Sequence, residues 1–205
     1  MKSIIIIGNY GKGNKIDGQI MKTRTIYNSV KNKYYPKYKI EKIDTSNKNI
    51  ILYIKTFIKI LKAYRIIILP AYSALKPLLI LINLLGASKR TIHIAIGGWL
   101  DNYINKPKWI RLENNLKAVL VEINSLKKSL QNKGLTNVVY FPNYRQKNDE
   151  NLNIKSKMNS YKKFVFYARV MPEKGVLYAI DAINILNKDD NRIYFRYIWT
   201  GRRKI

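Results

Sequence analysis

The sequence predicts an α/β protein, a doubly wound parallel sheet with helices on both faces, followed by the start of a second unit of the same kind. Three observations predict it. Short β-branched runs alternate with stretches of helical periodicity over the first 143 residues. The first run, Ile4-Ile5-Ile6-Ile7, is apolar at every position, as a strand buried on both faces must be. After a polar stretch the strand–helix–strand rhythm restarts at Phe164.

Taken in order, the first strand ends at Gly8, and a small-residue loop over 9–18 leads to a helix from about Gln19 to Lys31. Residues 39–43 form a second strand. Residues 50–65 read as a helix in which Lys55, Lys59 and Lys62 share one face, opposite Ile54, Ile58 and Leu61. That lysine row reads as the solvated outer face of a sheet-covering helix, or as a stripe able to rest on anionic headgroups. Residues 66–85 approach transmembrane length, but Pro70, Lys76 and Pro77 divide them. The expectation is a strand at 66–69, a loop, and a helix at 76–85 stopped by Gly86.

A fourth strand at 91–96 ends in Gly97-Gly98, and a short helix follows at 109–115. Next come a strand at 118–123, a helix at 126–133 with Ser125 as N-cap and Gly134 beyond its end, and a strand at 138–141 closed by Pro142-Asn143. These elements make a first domain over 1–143. Residues 144–163 are polar with little apolar periodicity and read as a linker. A strand at 164–168, a helix at 175–187 and a strand at 192–200 open an incomplete second domain, 164–205. One such unit cannot bury both faces of a sheet.

Composition narrows the function. The 205 residues contain no cysteine and one histidine, which excludes a disulfide framework, a cysteine nucleophile and a thiolate or structural zinc site. Lys and Arg outnumber Asp and Glu by 39 to 12, a net charge of +27 that attracts polyanions, whether nucleic acid, anionic membrane or phosphorylated substrate. The joint abundance of Lys, Asn and Ile is equally what an AT-rich codon bias produces, so charge alone selects no partner. The apolar run near the N-terminus stops at Gly8 with no cleavage signal after it, and the expected compartment is the cytoplasm.

The segment Phe164-Val165-Phe166-Tyr167-Ala168-Arg169-Val170-Met171-Pro172-Glu173-Lys174-Gly175 carries the sharpest chemistry. A buried strand runs into a turn with Arg169 and Lys174 five apart, and a helix opens at Gly175. Helix N-terminal amides with two cations can hold a pyrophosphate. Ala168-Arg169, three residues, then Glu173-Lys174-Gly175 resembles the segment that opens the donor domain of GT-B glycosyltransferases of family 4, the glycosyltransferase group 1 clan. The helix residues Tyr178-Ala179-Ile180-Asp181-Ala182 continue the likeness.

The first domain is similar to the same clan, in the subgroup that assembles bacterial surface polysaccharides. The similarity lies in Gly18-Gln19-Ile20-Met21-Lys22-Thr23, in His93-Ile94-Ala95-Ile96-Gly97-Gly98-Trp99-Leu100, in the run from Val121 to Lys128, and in Val138 to Asn143. The resemblance implies two Rossmann-like domains of GT-B type and transfer of a sugar from a nucleotide-diphosphate donor to a growing glycan. It further implies retention of anomeric configuration, no metal and no cofactor beyond the donor substrate. Arg169 and Lys174 would grip the donor diphosphate at the helix opening at Gly175. Gly18, Gln19, Gly97, Gly98 and Trp99 would line the acceptor cleft, the acceptor being a glycan or a lipid-linked glycan. Such an acceptor implies peripheral contact with the cytoplasmic membrane face.

Family members continue into an E-x7-E sequence that contacts the donor, which this sequence does not reach. Many also place a His where this turn reads Gly97-Gly98-Trp99. Two alternatives therefore stay open. One is a truncated, non-catalytic fragment or one half of a two-chain enzyme, with a second chain supplying the donor half. The other is a nucleic-acid-binding protein, although no RNA-recognition sequence is present.

Elsewhere the residues stay ambiguous. Gly11-Lys12-Gly13 with Gly18 lacks the spacing of a dinucleotide fingerprint. Asp17 reads as a turn cap or as a group holding an acceptor hydroxyl. His93 lies within a strand and reads as structural, and Glu113 and Glu122 form no pair legible from their spacing.

Overall fold

The computed structural model describes residues 1–11, 17–46, 50–144, 162–167, 174–188 and 193–198. The chain divides into two compact units, Met1–Gln146 and Lys147–Ile205. Most of the polar stretch over 144–163 lies outside the described residues.

In the first unit the order is β1 (Ser3–Gly8), α1 (Gly18–Tyr34), β2 (Lys39–Asp44), α2 (Ile50–Lys62), β3 (Arg65–Leu69), α3 (Leu75–Leu84) and β4 (Thr91–Ala95). It continues with α4 (Leu100–Tyr103), α5 (Pro107–Asn114), β5 (Ala118–Val121), α6 (Asn124–Asn132) and β6 (Val138–Tyr140). Single 3₁₀ turns at Tyr72–Ala74 and Ser88–Arg90 flank α3. The six strands form one parallel sheet in the order β2-β1-β3-β4-β5-β6. The expected doubly wound α/β architecture is therefore present.

Alternation along β1 shows why the sheet needs both layers. Ile5 and Ile7 enter a core with Ile60 of α2, Leu75, Leu79 and Ile82 of α3, and Leu126 and Leu130 of α6. Ile6 points the other way, onto Ile26 of α1, with Leu69 and Ile94. Each isoleucine removed from water there contributes about 1.5–3 kcal/mol. The second layer is thinner: among the described residues α1 is the one helix in it, joined by Tyr10, Phe141 and Tyr144. Ile67, Ile92 and Leu120 are left half-buried, and Val139 is exposed.

Several element ends differ from expectation for local reasons. Helix α1 starts at Gly18 because Asp17 caps it, its Oδ1 accepting the Ile20 N–H at 2.8 Å. Helix α5 starts earlier than Trp109, with Pro107 at its first turn, where the missing N–H costs nothing. Helix α6 starts at Asn124 with Ile123 as the flanking residue and no side-chain cap, so Ser125 lies inside the helix. Gly134 takes φ +95° just beyond α6, the left-handed role expected of it.

The stretch over 66–85 is strand, turn and helix, as Pro70 and Pro77 predict. Among the described residues no helix is long and apolar enough to cross a membrane. Helix α2 departs most from its sequence pattern. Thr56 and Ile60 face the core, whereas Ile54, Ile58 and Leu61, the row opposite the lysines, are exposed.

The second unit contains β7 (Lys162–Tyr167), α7 (Val176–Leu186) and β8 (Ile193–Ile198), with β7 and β8 parallel. Asn187 joins helix to strand: its side-chain amide donates to Ile193 O at 2.8 Å and its Oδ1 accepts the Ile193 N–H at 3.1 Å.

Candidate functional site

All six strands run the same way, so Gly8, Asp44, Leu69, Ala95, Val121 and Tyr140 end along one edge of the sheet. The chain leaves β1 toward β2 and then returns past β1 to β3, so the loops after β1 and β3 diverge and open a crevice at that edge. Ligand-facing loops in such sheets gather there, and the residues expected to line the acceptor cleft, Gly18, Gln19, Gly97, Gly98 and Trp99, all follow strand ends on this edge.

Gly8 is the tightest point. A Cβ on it would stand 2.9 Å from Thr23 Cγ2 and 3.0 Å from Leu69 O, so only glycine lets the first turns of α1 lie against the end of β1. Thr23 is fully buried, and its hydroxyl donates to Gln19 O at 2.8 Å. Beyond Gly8, the Tyr10 N–H donates to Asp44 Oδ1 at 3.1 Å, and Arg24 donates through Nε and an Nη to Tyr10 O at 2.9 and 2.7 Å. Burial first, then the neighbouring Tyr27 and Asp44, push the Tyr10 phenol well above its ordinary range. Tyr10 is thus a neutral buttress, its hydroxyl donating to Ile6 O at 3.3 Å.

Asp17, one of the ambiguous residues, serves as the cap of α1. Gly18 is the first helical residue and has open space where a side chain would be, with nothing within 4 Å of an added Cβ.

One turn further along α1, Lys22 and Glu122 make a link that sequence reasoning missed. Lys22 Nζ is 3.0 Å from Glu122 Oε1, with the two side chains 6% and 11% exposed. Lys22 also donates to Asn143 Oδ1 at 2.8 Å and lies over the rings of Tyr144 and Phe141, 4.9 and 5.5 Å from their centroids. Glu122 Oε2 in turn accepts the Gly97 N–H at 3.1 Å. The start of α1, the turn after β4 and the segment after β6 are therefore tied through one ion pair. Part of this was readable: Glu122 directly follows β5 and Gly97 stands two residues past β4, and adjacent parallel strands bring such residues close.

Gly97 has φ +77°, which a residue with a side chain adopts only under strain, and the space beside Gly98 is open. Trp99 is half-buried in an aromatic cluster. Its ring lies 5.5 Å from Tyr72 and 5.4 Å from Tyr103, and Tyr72 lies 4.1 Å from Tyr103. Lys76 Nζ stands 4.2 Å from the Tyr103 centroid and 5.1 Å from that of Trp109. Tyr103 is buried while Tyr72 is exposed, so the cluster presents a braced aromatic surface to solvent beside the Gly97–Gly98 turn. Tyr72 and Tyr103 were not singled out from the sequence, since nothing in their spacing reveals that the loop after β3 meets α4.

His93 lies inside β4 and is fully buried, its Nδ1 2.9 and 3.1 Å from the two carboxylate oxygens of the equally buried Glu113. That arrangement ties β4 to α5 and faces no cleft, which agrees with the structural reading of His93. Glu113 and Glu122 thus serve different partners.

In the second unit, Gly175 has φ +71° and directly precedes α7, with no side chain capping the helix. Lys174 beside it is exposed. Arg169 lies outside the described residues. The chain matches no protein-family model and no curated protein.

Proposed function

We propose that the chain is a GT-B type glycosyltransferase that moves a sugar from a nucleotide-diphosphate donor to a growing glycan in the cytoplasm. The observation that carries this reading is the setting of Lys174-Gly175. The pair stands at the N-terminus of α7, between the two strands of a parallel β–α–β unit. An Arg-x4-Lys-Gly segment needs that context to bring helix amides and cations onto one diphosphate. The sequence from Ala168 to Gly175, which resembles the donor-domain opening of that clan, adds to it.

In this reading the first turn of α7, with Lys174 and Arg169, stabilises the charge that develops on the leaving nucleoside diphosphate. The sugar–oxygen bond to that diphosphate breaks as the acceptor hydroxyl bonds to the anomeric carbon and gives up its proton. The acceptor lies along the carboxyl edge of the first sheet. Gly18 and Gly98 leave the backbone uncovered there, and the face of Tyr72 suits the C–H side of a pyranose ring. The Lys22–Glu122 pair holds the Gly97 turn in place and makes no contact with the reacting atoms.

Calorimetric titration of the full chain with a nucleoside diphosphate tests the reading. Arg169→Ala and Lys174→Ala should each weaken binding by about 1.5–3 kcal/mol, the worth of a charge-assisted hydrogen bond. Unchanged affinity in both variants overturns the assignment. A second reading is favoured by the apolar surface of the second unit, where Phe164, Val165, Leu177, Tyr178, Ile185 and Leu186 are exposed. In it the chain turns over only when another polypeptide covers that surface. Sugar transfer by the purified chain alone eliminates it.

A further inference from the structure

Around the axis of α2 three rows of side chains follow one another. Thr56 and Ile60 are buried against the sheet, and Lys55, Lys59 and Lys62 make a second row. Ile54, Phe57, Ile58 and Leu61 make the third, and all four are exposed. An ordinary sheet-covering helix needs two rows, one for the core and one for water. The surplus apolar row continues onto α3, whose Pro77, Ile80, Leu81 and Leu84 line, with Ile54 and Phe57, an open groove of about 540 Å³. Leu84 at its rim is 80% exposed. Contiguous apolar surface of this kind marks an interaction site.

We propose that this face of α2 and α3 docks on an anionic lipid surface, with the apolar row entering the acyl boundary and Lys55 and Lys62 at the phosphates. The lysines set beside the apolar row select the occupant. The chain carries +27, and among the described residues Lys55 and Lys62 make no ion pair, whereas Lys59 is held by Glu41. A second copy would set one lysine row against another. A neutral or zwitterionic surface would leave both lysines unanswered. An anionic bilayer meets both rows at once, because its phosphates lie just above an apolar layer, the arrangement that interfacial helices use. The inference goes beyond sugar transfer and does not depend on it.

Co-sedimentation of the full chain with vesicles, with no donor present, tests it. Binding is expected to vesicles of phosphatidylcholine mixed with phosphatidylglycerol and not to phosphatidylcholine alone, and high salt should release the protein. Lys55→Gln with Lys62→Gln should weaken binding about five-fold per lysine. Phe57→Ser with Leu84→Ser should weaken it at least about ten-fold. Both pairs are exposed, and circular dichroism establishes that they fold.

Lys31→Gln with Lys128→Gln, at exposed sites on other helices, removes the same charge and should leave binding within about two-fold. Equal loss in that control would mean diffuse charge attraction and overturn the proposal. So would equal binding to both vesicle types, or an apolar variant that binds normally. Self-association abolished by Phe57→Ser with Leu84→Ser, without vesicle binding, would make this face a chain–chain interface and also overturn it.

Discussion

Replacing Lys22 by Met should destabilise the first unit far more than removal of a surface lysine would. The charged atoms of Lys22 and Glu122 lie 3.0 Å apart with the side chains 6% and 11% exposed. At an effective dielectric near 20 that separation corresponds to about 5 kcal/mol of gross attraction, most of it offset by desolvation. Removing one partner leaves the other buried and unpaired, a loss of about 3–5 kcal/mol. Glu122 would keep the Gly97 N–H at 3.1 Å, and some water reaches it, so the lower end applies to Lys22→Met.

Glu122→Gln keeps an acceptor for Gly97, and Lys22 keeps Asn143 and the two aromatic rings, so about 2 kcal/mol is expected there. The double variant leaves no buried charge and should cost much less than the sum, a coupling of about 2 kcal/mol. Urea unfolding of the four proteins at neutral pH measures all of this, with unchanged slope indicating that the native state stays compact. A loss below about 1 kcal/mol for Lys22→Met, or an additive cycle, would show the pair behaving as an exposed one and refute the argument.

The other predictions concern single groups. Gly8→Ala should cost about 1–3 kcal/mol because its Cβ meets Thr23 and the Leu69 carbonyl, whereas Gly18→Ala, facing open space, should leave stability within about 0.5 kcal/mol. If Gly18 also borders bound acceptor, that same variant lowers transfer while thermal stability is unchanged, which separates the two roles. Asp17→Ala should lose about 1 kcal/mol of helix capping in denaturant unfolding and leave nucleotide affinity untouched.

Stability should also carry an acid limb through Glu41, whose carboxyl is held below its ordinary range chiefly by the hydrogen bond from Lys59, with burial opposing and Lys39 assisting. The native state then binds fewer protons than the unfolded chain in that range, so stability is present above the ordinary glutamate pKa and declines as pH falls through the lowered one. Glu41→Gln should flatten the urea-midpoint profile between about pH 5 and pH 3. An identical profile would mean that Glu41 contributes nothing to it.

Much of the fold was legible along the chain because its causes are local. Unbroken isoleucine in β1, the glycine after α6 and the prolines dividing residues 66–85 act through backbone geometry and nearest neighbours, so their outcomes appear where their residues stand. Starts of helices were less legible. Asp17 announces α1 with a side chain suited to the task, while α6 begins at Asn124 without one, held by packing of Leu126 and Leu130 into the core. On the candidate site, the glycines at 18, 97 and 98 were reached through the family resemblance rather than through their own spacing. Their common edge required only that the sheet be parallel.

What the chain by itself determined is the alternation of elements, the parallel sheet that alternation implies, and the residues at the ends of its strands. Tertiary structure alone decided which side chains meet. Lys22 and Glu122 are a hundred positions apart in the chain, and their pairing joins the second turn of α1 to the residue that follows β5. Tyr72 and Trp99 likewise meet because β3 and β4 are neighbours. The side of α2 that faces the sheet is the sharpest case. Periodicity shows that Ile54, Ile58 and Leu61 share a row, but a helix with two apolar rows can bury only one. The structure buries Thr56 and Ile60, and Ile60 packs with residues of β1 and α3, long-range contacts that no window of sequence contains.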